Sequence, residues 1–285
     1  MTDTTATDAR LPGPTLDRAR AFEDLAQFGY AIVEGALSPS ETAALRERMA
    51  QQALGEDARG EGFHDDTANQ RLWMLPNKGR VFRDLILHPV AEEFMGHLLG
   101  PDFLLSSLTG NIARPGGTPM YLHRDQGYVG FWTPTPLAAN IAWMLDDFTD
   151  ANGGTRLAPG SHLTEKKPSE YPLGDTVAAE GPAGSALIMD GRLTHGTGAN
   201  RTEAQHRHAI LAYHCRPFVR QQENYFLGLD QHIRRTERAA ILWRMGYGMW
   251  GSLGRTNAPT ERSLLGPLDH PVGCLDEAGR PMTGA

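Results

Sequence analysis

The chain has 285 residues and carries 27 Lys and Arg against 34 Asp and Glu, a formal net charge of −7. An acidic balance argues against a phosphate-binding nucleic-acid surface, and no run approaches the ~20 apolar residues of a membrane span. Hydrophobic residues make up 40% and charged residues 21%, so a packed core is expected, and the two cysteines, Cys215 and Cys274, are too few for a disulfide framework. Eleven histidines are left to account for.

In chain order, residues 1–14 are polar, lack the basic start and apolar stretch of a secretory signal, and read as a disordered leader. A reducing cytoplasm is the expected compartment. Leu16, Ala19, Phe22, Leu25 and Phe28 recur every three residues and predict an amphipathic helix ended by Gly29. Residues 30–33 predict a short strand. Ser38 and Glu41 form a capping-box pattern that opens a second helix through about residue 53. Residues 55–70, rich in Gly and Asp, read as a mobile loop, and residues 80–99 as one or two helices broken near Pro89.

After Pro101 the texture changes to short β-prone runs between Gly/Pro turns. Strands are expected at residues 103–112, 120–124, 137–145, 155–158, 175–178, 185–189 and 207–217. A helical pattern returns over residues 229–245, and the tail over 251–285 reads as loosely packed. The expected organisation is one domain over residues 15–250, mainly β with flanking helices, with a barrel or sandwich core over about residues 101–218.

The densest chemical signal is His123-Arg124-Asp125. Residues i and i+2 of a strand share a face, so an imidazole and a carboxylate would project together while Arg124 turns away. They supply two members of a 2-His-1-carboxylate triad, which holds Fe(II) with open coordination positions. His195 is the best candidate for the third, because it opens the Gly-rich run His195-Gly196-Thr197-Gly198-Ala199-Asn200, where glycines allow close backbone approach. Arg207 starts a strand whose period of two places Arg207, Ala209, Leu211 and Tyr213 on one face. An inward guanidinium is costly unless it meets an anion, and a carboxylate co-substrate would pair with it bidentately. His206 and His208 flank it and should face away from its cavity. His162 is expected to stabilise a turn.

Taken together, Phe28-Gly29-Tyr30-Ala31-Ile32-Val33, His123-Arg124-Asp125, Asn152-Gly153-Gly154-Thr155 with the following Pro159-Gly160-Ser161-His162, His195-Gly196-Thr197-Gly198 and Arg207 resemble the phytanoyl-CoA dioxygenase family in order and spacing. One departure is the twelve-residue interval from His195 to Arg207, one longer than is common in that family. The resemblance implies a double-stranded β-helix (jelly-roll, cupin-like) core wrapped by N- and C-terminal helices. It also implies Fe(II) on His123, Asp125 and His195, with 2-oxoglutarate held by Arg207, with Thr155 and Asn111 as further contacts. O2 would be the oxidant and succinate and CO2 the by-products. Asp125 is present where halogenating relatives have a small residue, which favours hydroxylation or desaturation. Thr155 also sits in a good turn sequence.

Trp73, Tyr128, Phe131, Trp132 and Trp250 are candidates to line an apolar substrate pocket, or else to pack helices onto the core. The expected partner is a small organic molecule, such as a natural-product intermediate, with neither nucleic acid nor membrane; oligomeric state is not legible. The competing readings are a cupin-like metal isomerase or lyase without 2-oxoglutarate, and a non-catalytic binding protein. Arg207 discriminates the first of these from the oxygenase.

Overall fold

Local signals set the ends of the first elements as expected. In a computed structural model, which describes residues 10–64, 68–254 and Arg280, β1 (Pro14–Thr15) precedes α1 (Arg18–Phe28). The Asp17 side chain accepts from the backbone N–H of Ala19 and Arg20, and Gly29, left-handed at φ 82°, closes the helix. The helix starts two residues later than the apolar spacing suggests, because Leu16 is 76% exposed and Asp17 takes the cap. β2 (Tyr30–Val33) follows, fully buried. In α2 (Pro39–Ala58) both halves of the Ser38/Glu41 capping box are made.

α2 runs one turn beyond the expected end, into the segment read as a loop. Glu56 is buried there and accepts from Gln52, while the Asp57 carboxylate accepts from Gln70 Nε2 at 2.9 Å and Arg114 Nη2 at 2.9 Å. These distant partners outweigh the helix-breaking effect of Gly55. The rest of that segment holds β3 (Phe63–His64), then β4 (Gln70–Leu72). Of the expected leader, residues 1–9 lie outside the described residues. So does nearly all of the tail after residue 254.

Further elements are α3 (Leu75–Lys78), α4 (Arg80–Asp84), α5 (Pro89–Leu99), β5 (Leu104–Ala113), β6 (Ala138–Met144), β7 (Arg156–Leu157), β8 (Val177–Ala178), β9 (Ala186–Asp190), β10 (His195–Gly196), β11 (Arg207–Cys215), α6 (Tyr225–Gly228), α7 (Gln231–Thr236) and α8 (Ala239–Leu242). The expected strand over residues 120–124 is reduced to one bridge, between His123 and His195. The helical pattern over 229–245 is split into short pieces, since Asp230 caps α7 and the chain is extended again at Glu237 and Arg238.

The strands form an eight-stranded sheet in the order β1-β2-β9-β6-β11-β5-β4-β3 and a three-stranded sheet in the order β10-β7-β8. This is a mainly β, jelly-roll-type arrangement with flanking helices; among the described residues the sheets do not close into a barrel. In the larger sheet, β9 pairs antiparallel with both β2 (Tyr30↔Met189) and β6 (Asn140↔Met189). Tyr30, Ile32, Ala142, Met144, Phe148, Leu157, Leu187, Met189 and Ala209 pack into one core drawn from both sheets.

The chain divides into two compact units, residues 1–72 with 110–211, and residues 73–109 with 212–285. The first carries the core just described and all three triad candidates. The second is mostly helical. In it Arg244 pairs with Glu92, donates to the carbonyls of Pro101 and Phe103, and lies with its guanidinium 3.7 Å from the Phe103 ring centroid. Glu223, buried there, accepts from the backbone N–H of Met74 at 2.7 Å and of Leu108 at 3.0 Å. No helix among the described residues is long and apolar enough to cross a membrane.

Candidate metal centre

The hairpin-like contact between His123 and β10 builds the site. His123 N–H donates to His195 O at 2.8 Å and His195 N–H donates to His123 O at 2.9 Å, so the two residues face each other and their rings lie 4.5 Å apart. Asp125 is not on the same strand as His123. The chain leaves extended geometry after the bridge, and Asp125 opens a turn that continues into a 3-10 segment at Gly127–Val129. The turn, rather than the strand pleat, brings the carboxylate back: Oδ1 of Asp125 is 3.9 Å from His123 Nε2 and 3.7 Å from His195 Nε2. One donor atom from each residue lies within 4.8 Å of the others, a spacing that suits a single ion.

Each ring is oriented by its other nitrogen. His123 Nδ1 lies 3.2 Å from Tyr121 O and His195 Nδ1 lies 3.0 Å from Leu193 O. A carbonyl only accepts, so both Nδ1 atoms donate, which leaves Nε2 of each ring as the atom that faces Asp125. This is how a metal-binding histidine is usually fixed. Burial first, then the neighbouring His195, pushes the pKa of His123 down, which favours the neutral ligand form. Arg124 turns away, as expected, and its Nη2 donates to the carbonyls of Ser161, Thr164 and Lys166. Gly198 is required for the close approach, since a Cβ there would sit 2.4 Å from Gly154 O.

Arg207 is 1% exposed. Its Nη2 donates to Gly153 O at 2.9 Å, its guanidinium lies 4.6 Å from the Phe148 ring centroid, and its Nε has no hydrogen-bond partner. Burial, and next the nearby Arg71 cation, pull its pKa down to about 9. A buried cation with an unused donor is the complement of a carboxylate. Three converging N,N,O donors and this guanidinium therefore fit Fe(II) and a 2-oxo acid.

The remaining candidates are distributed as follows. Asn111, 3% exposed on β5, donates from Nδ2 to Thr197 Oγ1 at 3.3 Å, and its Oδ1 is buried without a partner. Thr155 is buried immediately before β7. Tyr128 and Phe131 are 54% and 71% exposed on the segment after Asp125, and Trp132 there is half-buried with Nε1 unpaired. Trp73 and Trp250 belong to the second unit, where Trp250 Nε1 donates to Asp102 Oδ2 at 3.1 Å. His208 does not face solvent: it is 6% exposed and its Nδ1 lies 2.6 Å from Asp146 Oδ2, because Asp146, itself paired with Arg46 of α2, covers that face of β11. His162 buries its ring and meets Ala26 O through Nε2 at 3.1 Å.

Two residues were missed. Arg71 on β4 bears electrostatically on both His123 and Arg207 and pairs in register with Asn111; it adjoins the segment read as a loop, which hid it. Asn140 donates from Nδ2 to Asp125 Oδ2 at 3.1 Å. Its signal was present as the lone polar residue in the apolar run Leu137-Ala138-Ala139-Asn140-Ile141-Ala142-Trp143-Met144-Leu145.

Comparison with known proteins agrees with this geometry. The model of the phytanoyl-CoA dioxygenase (PhyH) family matches residues 25–209. Among characterised sequences, dioxygenase af480 of Aspergillus fumigatus is 32% identical over 256 residues, covering 84% of this chain and 82% of its own. Dioxygenase FUM3 of Gibberella moniliformis is 32% identical over 225 residues, covering 71% and 73%. Among solved structures, HygX of Streptomyces hygroscopicus, crystallised with nickel, 2-oxoglutarate and hygromycin B, superposes with a TM-score of 0.59 at 16% identity, covering 72% of this chain and 90% of its own. AviO1 of Streptomyces viridochromogenes gives 0.58 at 22%, covering 72% and 97%. The chain belongs to the phytanoyl-CoA dioxygenase (PhyH) family of Fe(II)- and 2-oxoglutarate-dependent dioxygenases.

Proposed function

We propose that this dioxygenase hydroxylates or desaturates a small, largely apolar organic molecule, such as a natural-product intermediate, in the cytoplasm and as a single catalytic domain. The observation that carries the reading is the convergence of His123, Asp125 and His195 in the same unit as a buried Arg207 whose Nε is unused. Two neutral imidazoles and one carboxylate would hold Fe(II) and leave adjacent positions open. Arg207 would hold the distal carboxylate of 2-oxoglutarate by a charge-assisted pair, with Thr155 and Asn111 as further polar contacts. When bound, the iron with 2-oxoglutarate and O2 supplies the oxidising chemistry and releases succinate and CO2.

The substrate class is supported by the aromatic residues beside the ligands. Tyr121 is 75% exposed with its ring 5.6 Å from that of His123, and Tyr128, Phe131 and Trp132 follow within eight residues of Asp125. The base of that segment is fixed: Gln126 bonds Thr133 Oγ1 and the N–H of Leu137, and Arg192, paired with Asp190, donates to Pro134 O at 2.6 Å. Exposed rings on an anchored segment give an apolar platform beside the ligands. HygX was solved with hygromycin B bound, and SnoN, a structural neighbour with a TM-score of 0.59, is an epimerase from nogalamycin biosynthesis; a tailoring role on a small molecule is compatible with both.

The test is spectroscopic. Fe(II) and 2-oxoglutarate, added without oxygen, should give a weak visible charge-transfer band that His123→Ala and Asp125→Ala abolish. With oxygen and a panel of polycyclic small molecules, succinate formation should rise for the true substrate class. Absence of the band, together with no iron-dependent succinate, would exclude the reading.

A further inference from the structure

Asn140 sits in the middle of β6, every residue of which is buried, and is itself 5% exposed. Its neighbours on the strand include Ala138, Ala139 and Ala142. A polar amide in such a place is costly unless both ends are bonded. Only one end is. Nδ2 donates to Oδ2 of Asp125 at 3.1 Å, and since a carboxylate only accepts, the nitrogen is the end that faces it. Oδ1 of Asn140 is buried with no hydrogen-bond partner, which costs about 1–3 kcal/mol. An alanine like its neighbours would avoid that cost.

What the asparagine does achieve is to make the two oxygens of Asp125 unequal. Oδ1 is the atom that faces His123 Nε2 at 3.9 Å and His195 Nε2 at 3.7 Å. Oδ2 is tied to Asn140 instead. We propose that Asn140 is a positioning residue that holds Asp125 in a one-oxygen geometry, so that an ion on His123, Asp125 and His195 keeps three open positions. A carboxylate released from Asn140 can turn and offer both oxygens, which removes one of the positions that a chelating 2-oxo acid and O2 together require. The proposal rests on the iron reading given above and specifies which residue keeps that site open.

The test uses the purified full chain as wild type, Asn140→Ala and Asn140→Leu, the last matching the asparagine in size without its donor. Three quantities are measured: the apo melting temperature, Mn(II) affinity by calorimetry, and the anaerobic titration of the Fe(II) complex with 2-oxoglutarate followed by its visible band. The melting temperature of both variants should stay close to wild type, since removal of the unpaired buried oxygen offsets loss of the donor to Asp125. Mn(II) should still bind. Half-saturation by 2-oxoglutarate should shift upward by about tenfold, as one coordination position is lost to the second carboxylate oxygen, and the band should move or weaken. An unchanged 2-oxoglutarate titration in both variants would overturn the proposal. So would loss of Mn(II) binding together with a fall in melting temperature, which would make Asn140 a packing residue only. A wild-type chain that binds no metal would instead remove the iron reading, a distinct outcome visible before any variant is compared.

Discussion

Arg207 donates from Nη2 to the carbonyl of Gly153 at 2.9 Å, at a position 1% exposed. That bond fixes the guanidinium, and the Gly153 turn is itself held by a glycine at φ 86° packed 3.0 Å from Gly198 O at the position a Cβ would take. The arginine is thus placed by a turn packed against the segment that follows His195, and it touches that turn rather than the metal-ligand side chains.

Replacing Arg207 by leucine should therefore separate the two halves of the site. Metal affinity should stay within a few-fold of wild type, because Arg207 makes no bond to His123, Asp125 or His195. Binding of 2-oxoglutarate should weaken by roughly 10- to 100-fold, the equivalent of a lost charge-assisted bond of about 1.5–3 kcal/mol. Arg207→Lys should recover part of it, as a point charge replaces a planar fork. Titration of the visible band with 2-oxoglutarate reads this directly, and equal affinities for wild type and Arg207→Leu would remove Arg207 from the co-substrate site.

Why Arg207 was legible and Asn140 was not follows from what each has to do. Arg207 and Ala209 share a strand period, and a charged residue in an apolar period announces itself. The strands 103–112, 137–145 and 207–217 were legible for the same reason, since each is a long run with clear turn residues at its ends. His123 and His195 could be paired because glycines mark the distal one. Asp125 was placed on the correct face by the wrong device: a turn performs what the pleat was expected to do, and a tripeptide cannot distinguish them. Arg71 and the last turn of α2 were lost because Gly55 and the acidic residues after it suggest a loop, whereas Asp57 is recruited by Gln70 and Arg114, partners 13 and 57 residues away. Non-local partners of that kind leave no local mark.

The end of α1 gives a second expectation, concerning stability. Gly29 is left-handed at φ 82°, and a Cβ there would sit 2.6 Å from Nδ1 of His162, whose ring is buried against it. His162 in turn reaches Ala26 O through Nε2, and Phe28 O accepts from Gly160 N–H at 2.8 Å. The Pro159-Gly160-Ser161-His162 turn therefore clamps the helix end. Gly29→Ala should destabilise by about 1–3 kcal/mol from the backbone alone, with the ring clash added. His162→Ala should cost about 1 kcal/mol through the lost bond to Ala26. The double variant should be more stable than the sum of the two, because the second change removes the clash created by the first. Urea denaturation of the four proteins closes the cycle. Strict additivity would mean that the ring and the glycine do not share the space the structure gives them.

The last expectation concerns pH and lies in the second unit. His214, near the end of β11, is 1% exposed, packs its ring edge-on against Phe103 at 5.4 Å, and has a buried Nδ1 with no hydrogen-bond partner. Burial first, then the Arg244 cation that lies over the same Phe103, pushes its pKa from 6.5 down to about 3. The unfolded chain takes up a proton at His214 as pH falls through 6.5, whereas the folded chain does not until about 3. Unfolding therefore binds a proton throughout that window, and stability falls as pH falls from 6.5, by up to about 1.4 kcal/mol per pH unit from this residue. His214→Leu removes the titrating group while keeping a side chain of similar bulk against Phe103. Stability should then decline less steeply between pH 6.5 and 4.5 in the variant than in wild type, while the two run parallel above pH 7. The histidines at 123 and 162, also pushed down by burial, contribute slopes of the same sign to both proteins, so the difference between the curves isolates His214. Urea midpoints measured at half-unit steps of pH, in a chelating buffer so that metal does not hold the folded state, supply both curves. Identical slopes below pH 6.5 would show that His214 gains its proton in the folded chain and that its burial is relieved by an opening of the helices around Phe103.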